Sequence, residues 1–171
     1  MSYRTKTYIA GDWSADQDAI EQLYKWKNGE GWGLSFVDAH DLTSARDTSL
    51  NCNIKRSLKT RLDASKRFVL IVGDKTAKLT NGSCRYCHSY NSYQVRCAKG
   101  YSVDFRSYVK YECEVANNDI SNIVVLYNST RVNKNLCPEI LRNVGTHLPM
   151  VYYDAGKYYW DYQAVKKALE Q

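Results

Sequence analysis

"RFVLIVG", residues 67–73, is an unbroken apolar run closed by a glycine. A run this long with no polar alternation suits a strand covered on both faces, as a central strand of a parallel sheet is. Strand and helix signals alternate outward from it in both directions. "KTYIAGDW" (6–13) reads as a short strand ending at Gly11, and "DQDAIEQLYKWKNG" (16–29) puts Ile20, Leu23 and Tyr24 at helical spacing before the Asn28-Gly29 stop. "LSFVDA" (34–39) reads as a second strand, followed by the polar loop "HDLTSARDTS" (40–49). A basic helix is expected over about 49–65, with Leu50, Ile54, Leu58 and Leu62 as its buried stripe. Beyond the apolar run come a helix around 105–116, a fourth strand "NIVVLYN" (122–128) and a weakly helical stretch over 136–144. "LPMVYYD" (148–154) reads as a fifth strand, and "WDYQAVKKALEQ" as a terminal helix with Tyr162, Val165 and Leu169 on one side.

Five strands alternating with helices imply an α/β fold with a five-stranded parallel sheet, helices on both faces and a flavodoxin-like order of 2-1-3-4-5. The 171 residues fit one domain, with an insertion at about 74–104 that is long, polar and rich in Gly, Ser, Asn and Tyr. Hydrophobic content of 44% against 25% charged residues is that of a globular protein. No apolar run approaches the roughly 18–20 residues that span a bilayer, and the N-terminus has no signal-peptide core, so no membrane and a cytoplasmic location are expected. The net charge of +6 sits largely on the basic helix, where Lys55, Arg56, Lys59 and Lys66 read as a solvated face. The 15 tyrosines form no stacking motif, and nucleic acid is not expected as a partner.

In such sheets ligands bind beyond the carboxyl ends of the strands. Gly11-Asp12-Trp13, the loop carrying Asp41 and Arg46, and Gly73 converge on that edge. "FRSYVKYECEVA" (105–116) begins on the same side and holds two glutamates. At 100° per residue Phe105, Tyr108, Val109, Val115 and Ala116 share one side with Glu112, while Glu114 points away, one turn after Lys110. A carboxylate on an apolar stripe faces either the interior or a cleft, and burial without a partner is costly. Read without further context, Glu112 divides evenly between a structural pair and a catalytic group. Gly11 would let backbone approach a ligand, Trp13 or Tyr108 could stack on a ring, and Arg46 could meet a pyrophosphate.

The six cysteines offer competing chemistry. "CRYCH" (84–88) spells the haem-attachment pattern, but export and a helical haem pocket are both missing from this reading. A structural zinc at Cys84, Cys87 and Cys97, completed by His88 or Cys113, is the more serious alternative to free thiols. A redox pair, a Cys–His nucleophile using His40 or His147, and a receiver-type phosphoacceptor at Asp74 each lack parts of their motif.

The sequence resembles TIR-like domains, and within them the ThsB family of the bacterial Thoeris anti-phage defence system. The residues that carry the likeness are "LKTRLDASKRFVLIVGDKT" and the pattern Tyr108, Val109, Lys110, Tyr111, Glu112. The resemblance implies cleavage of the nicotinamide–ribose bond of NAD with Glu112 as the catalytic residue. Gly11, Asp12, Trp13, Asp41, Arg46, Gly73 and Tyr108 would then bind substrate. It further implies that no cofactor is required, and that the product is an ADP-ribose-derived signal, expected to be cyclic. Its partners would be a downstream effector protein, a phage-derived trigger without which the enzyme is silent, and further copies of itself. The alternative of another class is a non-catalytic TIR interaction module.

Overall fold

The computed structural model describes residues 3–29, 31–39 and 50–171. The first half holds β1 (Lys6–Ala10), α1 (Gln17–Asn28), α2 (Asn51–Asp63) and β2 (Ser65–Val72). A minimal hairpin, β3 (Tyr90–Asn91) and β4 (Arg96–Cys97), precedes α3 (Tyr108–Asp119) and β5 (Asn122–Tyr127). The chain continues through β6 (Thr146–Pro149), β7 (Val151–Asp154), β8 (Lys157–Trp160) and α4 (Tyr162–Leu169). β1, β2, β5 and β6 pair in that order, all parallel, into a four-stranded sheet.

β2 lies inside the sheet, and its side chains alternate between two cores. Phe68, Leu70 and Val72 meet Leu58 and Leu62 of α2 and Val109, Cys113 and Ala116 of α3. Val69 and Ile71 meet Ile20, Leu23 and Trp26 of α1 and Val165 and Leu169 of α4. Both faces are dry, which is why the sequence of β2 does not alternate.

The expected second strand is reduced to a single parallel bridge between Thr7 and Asp38, where the Thr7 N–H donates to the Val37 carbonyl at 2.7 Å. Leu34 and Phe36 are buried in the core on the α1 side, so burial rather than a hydrogen-bonded ladder anchors this stretch. Among the described residues the sheet therefore has four strands, not the five of the 2-1-3-4-5 order.

Residues 148–154 are not one strand either. The parallel ladder ends at Pro149, opposite the last residue of β5. After the buried Met150 the chain enters an antiparallel hairpin, β7 with β8, absent from the sequence reading. Its two-residue turn, Ala155-Gly156, has φ of 46° and 82°, the positive pair that matches hairpin twist. The 136–144 stretch forms only short 3₁₀ turns at Lys134–Leu136 and Glu139–Leu141.

Residues 74–104 contain 3₁₀ turns and the β3–β4 hairpin, and polar ties hold them to the body. Lys55, expected on a solvated face, is buried, because its ammonium donates to the Arg106 carbonyl at 2.7 Å and the Asp104 carbonyl at 3.3 Å. It also pairs with the Asp104 carboxylate at 3.3 Å. Among the described residues no helix is long and apolar enough to cross a membrane.

Candidate active site

α3 starts where Ser107 Oγ accepts the Lys110 N–H at 3.1 Å, a serine cap that satisfies one of the helix's open donors. The helix therefore begins at Tyr108, and Phe105 lies outside it and partly exposed, not on its apolar stripe. Val109, Cys113 and Ala116 pack on the sheet, and Glu112 is carried inward with them at 7% exposure. Glu114 faces the other way, and Arg106 pairs with it at 2.7 Å.

The Glu112 carboxylate accepts a hydrogen bond from the hydroxyl of Tyr8, on β1. Burial drives its pKa up to about 7, despite that bond and the nearby Arg61 guanidinium, both of which favour the charged form. Burial likewise pushes the Tyr8 hydroxyl well above the ordinary tyrosine range, with the Glu112 charge adding to it. Near neutral pH the carboxyl is thus poised between its two states.

Glu112 opens onto a cavity of about 290 Å³. Gly11, Asp12, Trp13 and Tyr108 line it, so five of the residues singled out by sequence share one hollow. Gly73 does not. The space a side chain would need there is filled by the Asp16 carboxylate, 2.0 Å from an ideal Cβ, so this glycine serves close packing. Asp41 and Arg46 lie outside the described residues.

The individual roles differ from those expected. A Cβ at Gly11 would meet Ile71 and Ile20, so its small size serves packing on β2. Asp12 Oδ1 accepts the N–H groups of Ser14 at 3.0 Å and Ala15 at 3.2 Å, shaping the turn into α1. Trp13 is half exposed at the cavity and tilts against Tyr24 with ring centroids 6.2 Å apart. Tyr108 donates to Asn51 Oδ1 at 2.9 Å, and burial raises its pKa to about 12. Its backbone N–H donates to the Asn81 carbonyl at 2.7 Å. Gly82 follows with φ of 96°, where a Cβ would stand 2.5 Å from the Tyr108 ring.

Two partners of Glu112 escaped the sequence reading. Tyr8 sits 104 positions away and reads as plain strand core. Arg61 continues the Ile54–Leu58 stripe of α2 by one turn, and that spacing was a usable sign that it faces inward with Ile54 and Leu58 to line the cavity.

Residues 1–81 match the family described as Thoeris protein ThsB, TIR-like domain. Over this stretch, just under half of its length, the chain is similar to the ThsB TIR-like family. The stretch runs from β1 through β2 and includes Tyr8, Gly11, Asp12, Trp13 and Arg61, whereas Tyr108 and Glu112 lie beyond the matched ThsB segment. A solved structure extends the likeness of fold over the whole chain: a metazoan TIR-STING receptor from C. gigas, in complex with 2',3'-cGAMP. The TM-score is 0.52 at 12% identity, and the alignment covers 100% of this chain but 41% of the receptor. No curated protein matches the chain in sequence.

Around this ThsB-like core the cysteines take ordinary places. Among the described residues no three His, Cys, Asp or Glu side chains stand together as a metal set, so Cys84, Cys87 and Cys97 do not assemble the zinc site considered from sequence. Cys84 is buried, and its sulfur accepts the Asp104 N–H at 3.2 Å. Cys113 lies in the core between α3 and the sheet.

Proposed function

We propose that the protein cleaves the nicotinamide–ribose bond of NAD, with Glu112 as the catalytic residue, and releases an ADP-ribose-derived signal for a separate effector in anti-phage defence. The observation that carries this reading is a buried carboxylate lining a cavity at the edge where a parallel sheet binds ligands, in a chain whose first 81 residues match ThsB. Nicotinamide departs as a neutral molecule, so no general acid is needed. The barrier lies in the cationic character that builds on the ribose, which a fixed carboxylate in a dry pocket stabilises.

The perturbed pKa fits this chemistry. The positive nicotinamide ring and the developing ribose cation both favour the charged form of Glu112, and Tyr8 and Arg61 already lean that way. A cavity of about 290 Å³ suits the nicotinamide riboside half, leaving the rest of the dinucleotide outside it. Trp13 and Tyr108 are the rings available for stacking.

The non-catalytic alternative draws on one observation, that Glu112 already has a hydrogen-bond donor in Tyr8 and so has a structural place. Incubation with NAD separates the readings. Nicotinamide release should fall by about 10²-fold or more in Glu112→Gln, which keeps an acceptor for Tyr8 but carries no charge. If the purified protein is silent, cells carrying it are challenged with phage. Protection that survives Glu112→Gln would reject catalysis and favour the interaction module.

A further inference from the structure

A second and larger hollow, of about 990 Å³, opens between residues 76–86, the start of α3 and residues 138–142. It shares Leu79 with the Glu112 cavity and otherwise has its own lining. We infer that this hollow is a second binding site, for a phosphate-bearing nucleotide.

Four cations line it: Lys78, Arg85, Lys110 and Arg142. Two carboxylates, Glu114 and Glu139, oppose them, but Glu114 is already bonded to Arg106 at 2.7 Å. The balance inside the hollow is therefore positive, which favours an anion and excludes a cationic ligand. Lysine and arginine together suit phosphate, as point charge and planar fork respectively.

The aromatic lining points to a base or similar ring rather than to bare phosphate. Tyr86 is 71% exposed and Phe105 40% exposed, both large rings left facing solvent at the rim. The Arg85 guanidinium lies over the Phe105 ring, 5.0 Å from its centre, so a cation is held against the aromatic lining by a cation–π contact. The hollow lies at the upper end of volumes used by small-molecule sites, with room for a whole nucleotide. It stands independently of NAD cleavage at Glu112.

The test is calorimetric titration with ADP-ribose, inorganic pyrophosphate and adenosine, in a Glu112→Gln background so that no turnover intervenes. ADP-ribose should bind more tightly than pyrophosphate, pyrophosphate should compete with it, and adenosine should bind weakest. Lys110→Glu with Arg142→Glu should weaken ADP-ribose at least about tenfold, and raised salt should weaken it as well. Lys78→Gln with Arg142→Gln is the milder pair, and it decides the matter if charge reversal disturbs folding. No binding, or binding untouched by the folded variants, overturns the site. Pyrophosphate binding as tightly as ADP-ribose overturns its assignment to a nucleotide. NAD cleavage that persists in Lys78→Gln with Arg142→Gln while ADP-ribose binding weakens supports this site separately from the reading at Glu112.

Discussion

β2 and the 74–106 segment follow one another in the chain, yet they are held by opposite means. β2 is fixed by area: Phe68 through Val72 are at most 1% exposed, packed between helices on both faces. The segment after it presents Tyr86, Tyr93 and Val95 to solvent and is fixed by a few polar ties that reach across the fold. Lys55 on α2 holds the carbonyls of Asp104 and Arg106, while the Arg106 guanidinium binds Asp104 and Glu114. Non-directional burial tolerates many sequences of similar pattern, whereas a polar clamp depends on a handful of atoms. The strand should therefore fail globally and late, and the segment locally and early.

The most damaging single change should be in β2. Leu70→Ala removes a fully buried side chain between two helices and should cost about 3 kcal/mol, seen as one cooperative shift in chemical denaturation. A variant that released residues 74–106 first and left the core intact would break the contrast.

Glu112 is the exception inside the burial-dominated region. Its folded pKa of about 7 lies above the ordinary carboxylate value of 4.5, so the folded state binds its proton more tightly than the unfolded chain does. That stabilisation is complete below about pH 4.5 and is lost as pH rises through 7. Glu112→Gln removes the titration, so its stability relative to the native protein should climb between pH 4.5 and 8, by at most roughly 3 kcal/mol. Thermal melts of both proteins across that range check it, and a flat difference would mean the carboxyl is not desolvated.

Asp104 has the reverse sign. Burial pushes its carboxyl up, but bonds from Arg106 and the charge of Lys55 outweigh burial and hold it at about 2. Its contribution is present above the unfolded value of 3.8 and fades as pH falls through 2. Because solvent screens this partly exposed carboxylate, Asp104→Asn should cost the segment less than the full shift implies, roughly 1.5 kcal/mol at pH 7 and almost nothing near pH 2. Hydrogen exchange should show residues 84–106 opening sooner while β2 keeps its protection.

The smallest effect belongs to the junction of the two regions. Ser107→Ala deletes the cap of α3 and should cost about 1 kcal/mol, measured by thermal melting. It should also lower NAD cleavage modestly, since Tyr108 and Glu112 ride on the first two turns of that helix.

What sequence disclosed follows the same division. The positions of β1, β2, β5 and the four helices, and the inward aim of Glu112, were readable because periodicity reports which side of an element meets the core. Tyr8 as the donor to Glu112 was not readable, since nothing local in "KTYIA" distinguishes a core tyrosine from one with a carboxylate partner across the sheet. Lys55 was misread for a related reason: a buried lysine is identified by its acceptors, here carbonyls about fifty residues away. The β7–β8 hairpin was missed although Asp154-Ala155-Gly156-Lys157 between tyrosine pairs carries a turn signal, because the strand reading of 148–154 absorbed its first arm. The bridge at Asp38 shows the opposite failure, a strand-like pattern whose ladder does not form among the described residues.

The contact between Gly82 and the Tyr108 ring sets a rule for loop grafting. A transplanted connection between β2 and α3 could be shorter or longer and could differ at nearly every side chain. It would still have to reach the aromatic wall of the cavity with bare backbone, in a left-handed turn, because a single methyl group there would collide with the ring. The shape of the pocket is thus partly written in an atom that the chain leaves out.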